Sequence, residues 1–195
     1  MMNYEQEISA RVDFIKNILK ESGAKGVIYG NSGGKDCTLV GILCKRATEH
    51  VLAVMMPCSS KQNYDSDLAH AKKTCEKFHI DYKIVDLTDA KNNITSAIGD
   101  ISQPASANIA PRLRMTTLYA IGQTKGYLVA GTGNRSERYV GYFTKWGDGA
   151  CDFNPIADLT TEEIYALLRY LGAPEEIIHK APSAGLFDGQ TDEGE

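Results

Sequence analysis

Ile28-Tyr29-Gly30-Asn31-Ser32-Gly33-Gly34-Lys35-Asp36-Cys37 joins a β-branched and aromatic run, begun at Gly26-Val27, to an apolar helical pattern that starts at Leu39. Such a passage reads as strand, glycine turn, helix. The turn can present several backbone N–H groups at the helix start, where the aligned peptide dipoles also favour an anion. Gly30, Gly33 and Gly34 let the backbone approach a phosphate with no Cβ in the way. Ser32 adds a hydroxyl donor. Asp36 adds a carboxylate, which repels a bare phosphate but suits a magnesium ion bridging to one. The loop is suited to a metal-bound pyrophosphate.

Two commoner phosphate loops are excluded. A Walker A loop needs glycine four residues before its Gly-Lys pair and Ser or Thr directly after it; here Tyr29 and Asp36 stand in those places. The fingerprint of three spaced glycines fails here too, and its nearest match elsewhere, Gly131-Thr132-Gly133-Asn134-Arg135-Ser136, lacks the third glycine. What remains, Ser32-Gly33-Gly34-Lys35-Asp36-Cys37, resembles the Ser-Gly-Gly-x-Asp-Ser loop of the ATP pyrophosphatase (PP-loop) superfamily. That resemblance implies cleavage of ATP between its α and β phosphates.

Working outward, Ile8, Val12, Ile15, Ile18 and Leu19 recur at helical spacing until Ser22-Gly23. Val51-Leu52-Ala53-Val54-Met55-Met56 is a continuous apolar run stopped by Pro57, as in a buried parallel strand. Leu68, Ala71, Cys75 and Phe78 mark another helix, and residues 82–87 read as a third strand. Residues 88–107 are polar and small, with one short helix expected near Ile94–Ile98. Asn108 is placed to cap a long helix with Pro111 in its first turn, running to Gly126. Tyr127-Leu128-Val129-Ala130 reads as the fourth strand, and Thr160-Thr161-Glu162-Glu163 as a capping box. The alternation predicts an α/β fold, a Rossmann-like parallel sheet with helices on both faces. In such sheets ligands sit at the carboxyl ends of the strands, where both glycine-containing loops fall.

The bulk properties suit one soluble domain spanning 1–195. A net charge of −4 argues against a nucleic-acid binder. The five cysteines form no Cys-x-x-Cys pair, as expected of reduced thiols. The polar start Met-Met-Asn-Tyr-Glu-Gln-Glu and the lack of a membrane-length apolar run point to a cytoplasmic protein without a membrane partner.

The second half narrows the resemblance. Gly131-Thr132-Gly133-Asn134-Arg135-Ser136-Glu137 leads to Gly141 through Asp152, then Asn154-Pro155-Ile156-Ala157-Asp158-Leu159, Lys180 through Leu186, and Gln190-Thr191-Asp192-Glu193. With the loop at 32–37, this closely resembles the ammonia-dependent NAD synthetase family, from about residue 26 onward. The resemblance implies a PP-loop type fold of the adenine nucleotide α-hydrolase-like kind. It also implies a ligase that turns deamido-NAD, ATP and ammonia into NAD, AMP and pyrophosphate through an adenylate, with Mg2+ as cofactor. Carried over by position, it assigns ATP binding to Gly30, Asn31, Ser32, Gly33, Gly34, Lys35, Asp36, Cys37, Thr132, Thr161 and Ser183. Magnesium falls to Asp36 and Glu137, deamido-NAD to Arg112, Lys145 and Asp152, and the catalytic roles to Asp36 and Asp148. Asp148 matches an aspartate that receives ammonium, and is expected to be a buried anion.

Three departures accompany the match. Cys37 replaces a serine of the loop, Thr161 stands where a phosphate-contacting lysine is usual, and the sequence given ends at Glu195, before a His-Lys pair that touches the dinucleotide. They leave open a catalytically weakened nucleotide-binding homologue acting as sensor or scaffold, and another PP-loop ligase. Lys35 is expected to make up in part for the lysine missing at 161. The resemblance also implies a homodimer. The apolar content of the helix after Asn108 exceeds what one stripe needs, which places that helix at the subunit interface, and residues 183–195 are expected to form a mobile lid over ATP.

Overall fold

The computed structural model describes residues 3–58 and 63–179. Asn3 caps α1 (Tyr4–Ser22) with its side chain, and Gly23 ends it in the left-handed conformation. Strand β1 (Gly26–Gly30) runs into α2 (Lys35–Ala47), β2 (Val51–Met55), a π-helical turn (Asn63–Asp67), α3 (Leu68–Lys77) and β3 (Asp81–Ile84). Then follow α4 (Thr88–Ile98), α5 (Gln103–Ala107), α6 (Ile109–Lys125), β4 (Tyr127–Val129), α7 (Arg135–Val140), α8 (Thr161–Tyr170) and α9 (Glu175–Ile178).

The four strands are all parallel, in the order β3-β2-β1-β4. The order reverses direction at β1, so β1 and β4 diverge at a topological switch point, the place where such sheets open a crevice. Burial alternates along the strands as the pleat requires. Val27, Tyr29, Val51, Ala53 and Met55 join α1, α2, α3 and α8 in one core, while Ile28, Leu52, Val54 and Met56 join Ala110 and Leu118 of α6 in a second. Both faces of the sheet are therefore covered, as expected of a parallel sheet. No helix among the described residues is long and apolar enough to cross a membrane.

The structure corrects several expectations. Residues 88–107 fold into α4, which contains the short helix expected near Ile94–Ile98 and begins earlier, at Thr88, and α5; neither has a fully buried residue, so apolar periodicity was too weak to show the rest. The third strand is shorter than 82–87 suggested, and all four of its residues are exposed. Helix α2 starts at Lys35, directly after the glycine turn, and not near Leu39. Asn108 does not cap α6: its backbone is already helical, and its side chain accepts from Thr144 Oγ1 (2.6 Å) and donates to the Pro104 carbonyl (3.0 Å). The apolar surplus of α6 is used inside the chain, since Leu113, Tyr119 and Ile121 pack on the second core and Met115 lines the cleft described below.

Candidate active site

A cleft of about 460 Å³ opens where the loops after β1 and β4 part. Its floor is the turn that leads into α2. Asn31, 4 % exposed, acts as the internal strut of that turn: its Oδ1 accepts from Gly33 N (3.0 Å) and from the Cys37 thiol (3.3 Å), and its Nδ2 donates to the Ala71 carbonyl (3.4 Å). Gly33 has φ +71°, and a Cβ there would strike the Asp67 carbonyl, so only glycine fits. Gly34 is the N-cap of α2 and supplies no side chain to its first-turn N–H groups. A helix start left without a side-chain cap suits an anion.

The charged groups follow. Asp36 Oδ2 accepts from Lys35 Nζ at 2.8 Å, and Asp36 Oδ1 accepts from Asn134 Nδ2 at 3.1 Å. Asn134 opens α7 with a capping box: its Oδ1 takes Glu137 N (3.0 Å), while its own N–H goes to Glu137 Oε2 (2.9 Å). Asp36 and Glu137 thus bond to one residue from the first turns of two different helices, α2 and α7. Burial, and then the charge of Asp36, push the Glu137 carboxyl up to about 7. Burial works against the Lys35 ammonium, but the Asp36 carboxylate outweighs it and leaves the lysine held above its usual range, with Glu137 adding to the effect. The residues around these acids are fixed from behind. Gly131 N donates to the Phe153 carbonyl (2.8 Å), Asn154 Nδ2 to the Gly133 carbonyl (2.8 Å) and Arg135 N to the Leu159 carbonyl (2.8 Å).

The model of the NAD synthase family matches residues 7–195. The chain belongs to that family. It is 44% identical to the NH(3)-dependent NAD(+) synthetase of Carboxydothermus hydrogenoformans, a match that covers 100% of this chain and 81% of the relative. In structure it is similar to an NMN synthetase from Francisella tularensis (TM-score 0.94, 32% identity, 100% of this chain and 81% of that one). It is likewise similar to the NH3-dependent NAD synthetase of Campylobacter jejuni, solved with nitrate (TM-score 0.86, 38% identity, 91% and 77%).

Of the residues that the family resemblance singled out, Gly30, Asn31, Ser32, Gly34, Lys35, Asp36, Cys37, Thr132, Glu137 and Asp148 line the cleft. Gly33 lies beneath, buried in the turn. The Cys37 thiol turns inward to Asn31 Oδ1 and the Gly34 carbonyl (3.2 Å), so the replaced hydroxyl has become a packing group. Asp148 is exposed, which corrects the expectation of a buried anion; its Oδ1 accepts from Thr144 N (3.0 Å) across a tight turn. Thr161 is outside the cleft, at the first turn of α8, with its N–H on Ser136 Oγ (3.4 Å); one turn on, Tyr165 does line the cleft.

Arg112, Lys145 and Asp152 are not gathered in the cleft. Arg112 and Lys145 are both exposed and adjacent, Arg112 Nε donating to the Lys145 carbonyl at 3.3 Å. Asp152 is spoken for elsewhere: Oδ1 accepts from Tyr119 Oη (3.1 Å) and Oδ2 from Val129 N (2.8 Å). Ser183 and the segment 183–195 lie outside the described residues.

Sequence reasoning missed Asn134, Arg114 and Tyr165 as members of the site. Arg114 lines the cleft, with Nε on the Met56 carbonyl (3.1 Å), and burial lowers its affinity for its proton while Asp148 and Asp67 raise it. A signal existed: Ala110, Arg114, Leu118 and Gly122 follow one another at four-residue steps along α6, and the other three are buried. A cation inside an apolar stripe marks a charged cavity. Asn134 was equally marked by Asn-x-x-Glu before a short helix.

Proposed function

We propose that this chain is an ammonia-dependent NAD synthetase acting on deamido-NAD, ATP and ammonia. The observation that carries the reading is the meeting of Asp36 and Glu137 on Asn134, beside the uncapped start of α2. Relatives named NH(3)-dependent NAD(+) synthetase, 44%, 43% and 42% identical over nearly the whole chain, support it. The α2 N–H groups and Ser32 are suited to hold the phosphates, and Lys35 and Arg114 bring positive charge to the cleft from α2 and α6. Asp36 and Glu137 form an oxygen donor set, and the charge of Asp36, which adds to the burial that raises the Glu137 carboxyl, fits a hard divalent cation. Magnesium bound there would supply charge neutralisation on the leaving pyrophosphate.

The chemistry asks mainly for positioning. The nicotinate carboxylate attacks the α-phosphate of ATP, pyrophosphate leaves, and ammonia then displaces AMP from the activated carbonyl. Asp148, exposed at the cleft wall, is suited to attract ammonium and take its proton. Arg112 and Lys145, with exposed Trp146 beside them, form the surface assigned to deamido-NAD, and the same surface is proposed as part of a homodimer. The 195-residue sequence is proposed to form one domain. Incubation with ATP, magnesium, deamido-NAD and ammonium should yield NAD, AMP and pyrophosphate; ADP and phosphate would refute this. Light scattering should give the mass of a dimer, and a monomer at micromolar concentration would refute that part.

A second reading follows from the likeness to the Francisella tularensis NMN synthetase. There the amide would be made on the mononucleotide of nicotinic acid, leaving the adenylation step unchanged. Comparing kcat/KM for deamido-NAD and nicotinic acid mononucleotide separates the two. We expect the dinucleotide to be preferred, because the named relatives of higher identity, 38–44%, are NAD synthetases.

A further inference from the structure

Asn134 has no accessible surface, and its carboxamide is engaged at both ends. One end faces Glu137 N, which can only donate; the other faces an oxygen of Asp36, which as a carboxylate can only accept. The amide is therefore fixed in one orientation, oxygen toward α7 and nitrogen toward α2. Its backbone N–H adds a third bond, to Glu137 Oε2. The residue is rooted through its neighbours, since the Gly133 carbonyl and Arg135 N are tied to Asn154 and Leu159. It therefore does more than begin a helix of six residues. It reaches from the end of the β4 loop to the first turn of α2, and bonds one carboxylate of α7 and one of α2.

We propose that Asn134 is the positioning residue that sets the spacing and aim of the Asp36–Glu137 pair for metal-bound nucleotide. The inference rests on the ATP- and magnesium-dependent reading given above. Without the Nδ2 donor, nothing else that the structure shows bonded to Asp36 Oδ1 holds it toward Glu137, and two carboxylates of like charge separate. The cation would then meet one acid at a time. Groups that orient metal ligands from behind commonly govern metal affinity by about ten- to a hundredfold. Lys35 is bonded to the other oxygen of Asp36 and feels the charge of Glu137, but no hydrogen bond joins it to Glu137, so its attraction offsets part of the repulsion without aiming the acids.

Asn134→Ser separates this role from helix capping. Serine caps a helix about as well as asparagine, but it is too short to reach Asp36 while its oxygen serves Glu137 N. Binding of adenosine 5′-(α,β-methylene)triphosphate, which resists cleavage at the bond in question, is measured by calorimetry with Mn2+ and again with EDTA. The Mn2+ arm should weaken about tenfold in Asn134→Ser, and the EDTA arm should stay as in the unmodified protein. Equal loss in both arms would overturn the proposal, because the residue would then shape the phosphate loop and not the acids. Unchanged binding in the Mn2+ arm would overturn it too, leaving Asn134 a helix cap. If the unmodified protein gains nothing from Mn2+, the metal-dependent reading itself fails, and that result is distinct from the other two. Asn134→Gly, also tolerated at an N-cap, repeats the test should the serine variant not fold.

Discussion

Around Asn31–Cys37 and Gly131–Glu137, buried side chains and loop carbonyls are tied down by hydrogen bonds that reach across the sheet edge. From the end of α7 through the turns that follow, Tyr139, Phe143, Trp146 and Asp148 stand exposed, Phe143 and Asp148 on the cleft wall and Trp146 in the left-handed region at φ 59°. Arg112 touches this stretch through the hydrogen bond from its Nε to the Lys145 carbonyl. The first region is organised by the fold before any ligand arrives; the second presents apolar and charged groups that the described chain leaves uncovered. Binding energy spent on ordering is energy lost to affinity, so the two regions should respond differently to mutation. Damage at the ordered end should fall on the chemical step, and damage at the open end on the affinity for the second substrate.

The largest effect belongs to Asp36→Ala, which should cut pyrophosphate release by about a thousandfold. An unimpaired rate of pyrophosphate exchange would erase the distinction between the regions. Next comes Asp148→Asn at the exposed wall, expected to slow NAD formation about a hundredfold while the first pyrophosphate still leaves at its normal rate. Equal loss in both steps would place Asp148 with the ordered acids instead.

Arg112→Ala and Lys145→Ala should each raise the KM for deamido-NAD about tenfold with little change in ATP affinity, as when a charge-assisted contact is removed. Loss of ATP binding would show that the open surface serves the phosphates after all. A smaller effect is expected from Lys35→Gln, about fivefold in ATP affinity, since Asp36 already offsets part of that charge. The structure places Lys35 on the cleft wall near Tyr165, one helical turn from Thr161, so Thr161→Lys should shrink the loss; strict additivity would mean the two positions do not substitute.

The smallest change lies away from both regions. Asp158 accepts from Arg11 at 2.7 Å, and that hydrogen bond holds its carboxyl below the usual range. A carboxyl depressed in the folded chain stabilises above its unfolded value and loses that contribution as the pH falls through the folded one. Because the aspartate is largely exposed, Asp158→Asn should lower Tm by only about 2 °C at pH 7, with the difference fading below about pH 4.

The ordered region was also the legible one. Glycine, serine and aspartate at fixed spacing announce a turn and its ligand because each residue type has a backbone or charge reason to be there. What the sequence left unread depended on partners distant in the chain. Asn134 meets Asp36 only because β4 lies beside β1, and strand order carries no local signature. Arg112 was singled out by the resemblance and Arg114 was not; the structure puts Arg114, on the face of α6 that meets the sheet, in the cleft. Helices α4 and α5 bury no side chain fully, so apolar spacing marked only the end of α4, at Ile94–Ile98, and left α5 unread.

The covered margin of β4 has a colloidal consequence. Beyond β4, the stretch at 152–153 runs alongside: Asp152 N reaches the Val129 carbonyl, and Phe153 bridges Ala130. The backbone of that stretch covers the margin of β4, and the carboxylate takes the Val129 amide that it leaves over. At the opposite margin, β3 is exposed along its whole length and, among the described residues, has no outer partner. A ribbon that can be extended on one side only ends at two copies, since a growing stack needs two open margins per unit. Loss of the Asp152 side chain would free one amide on the β4 side, and the bonds of Asp152 N and Gly131 N would still keep that margin shut.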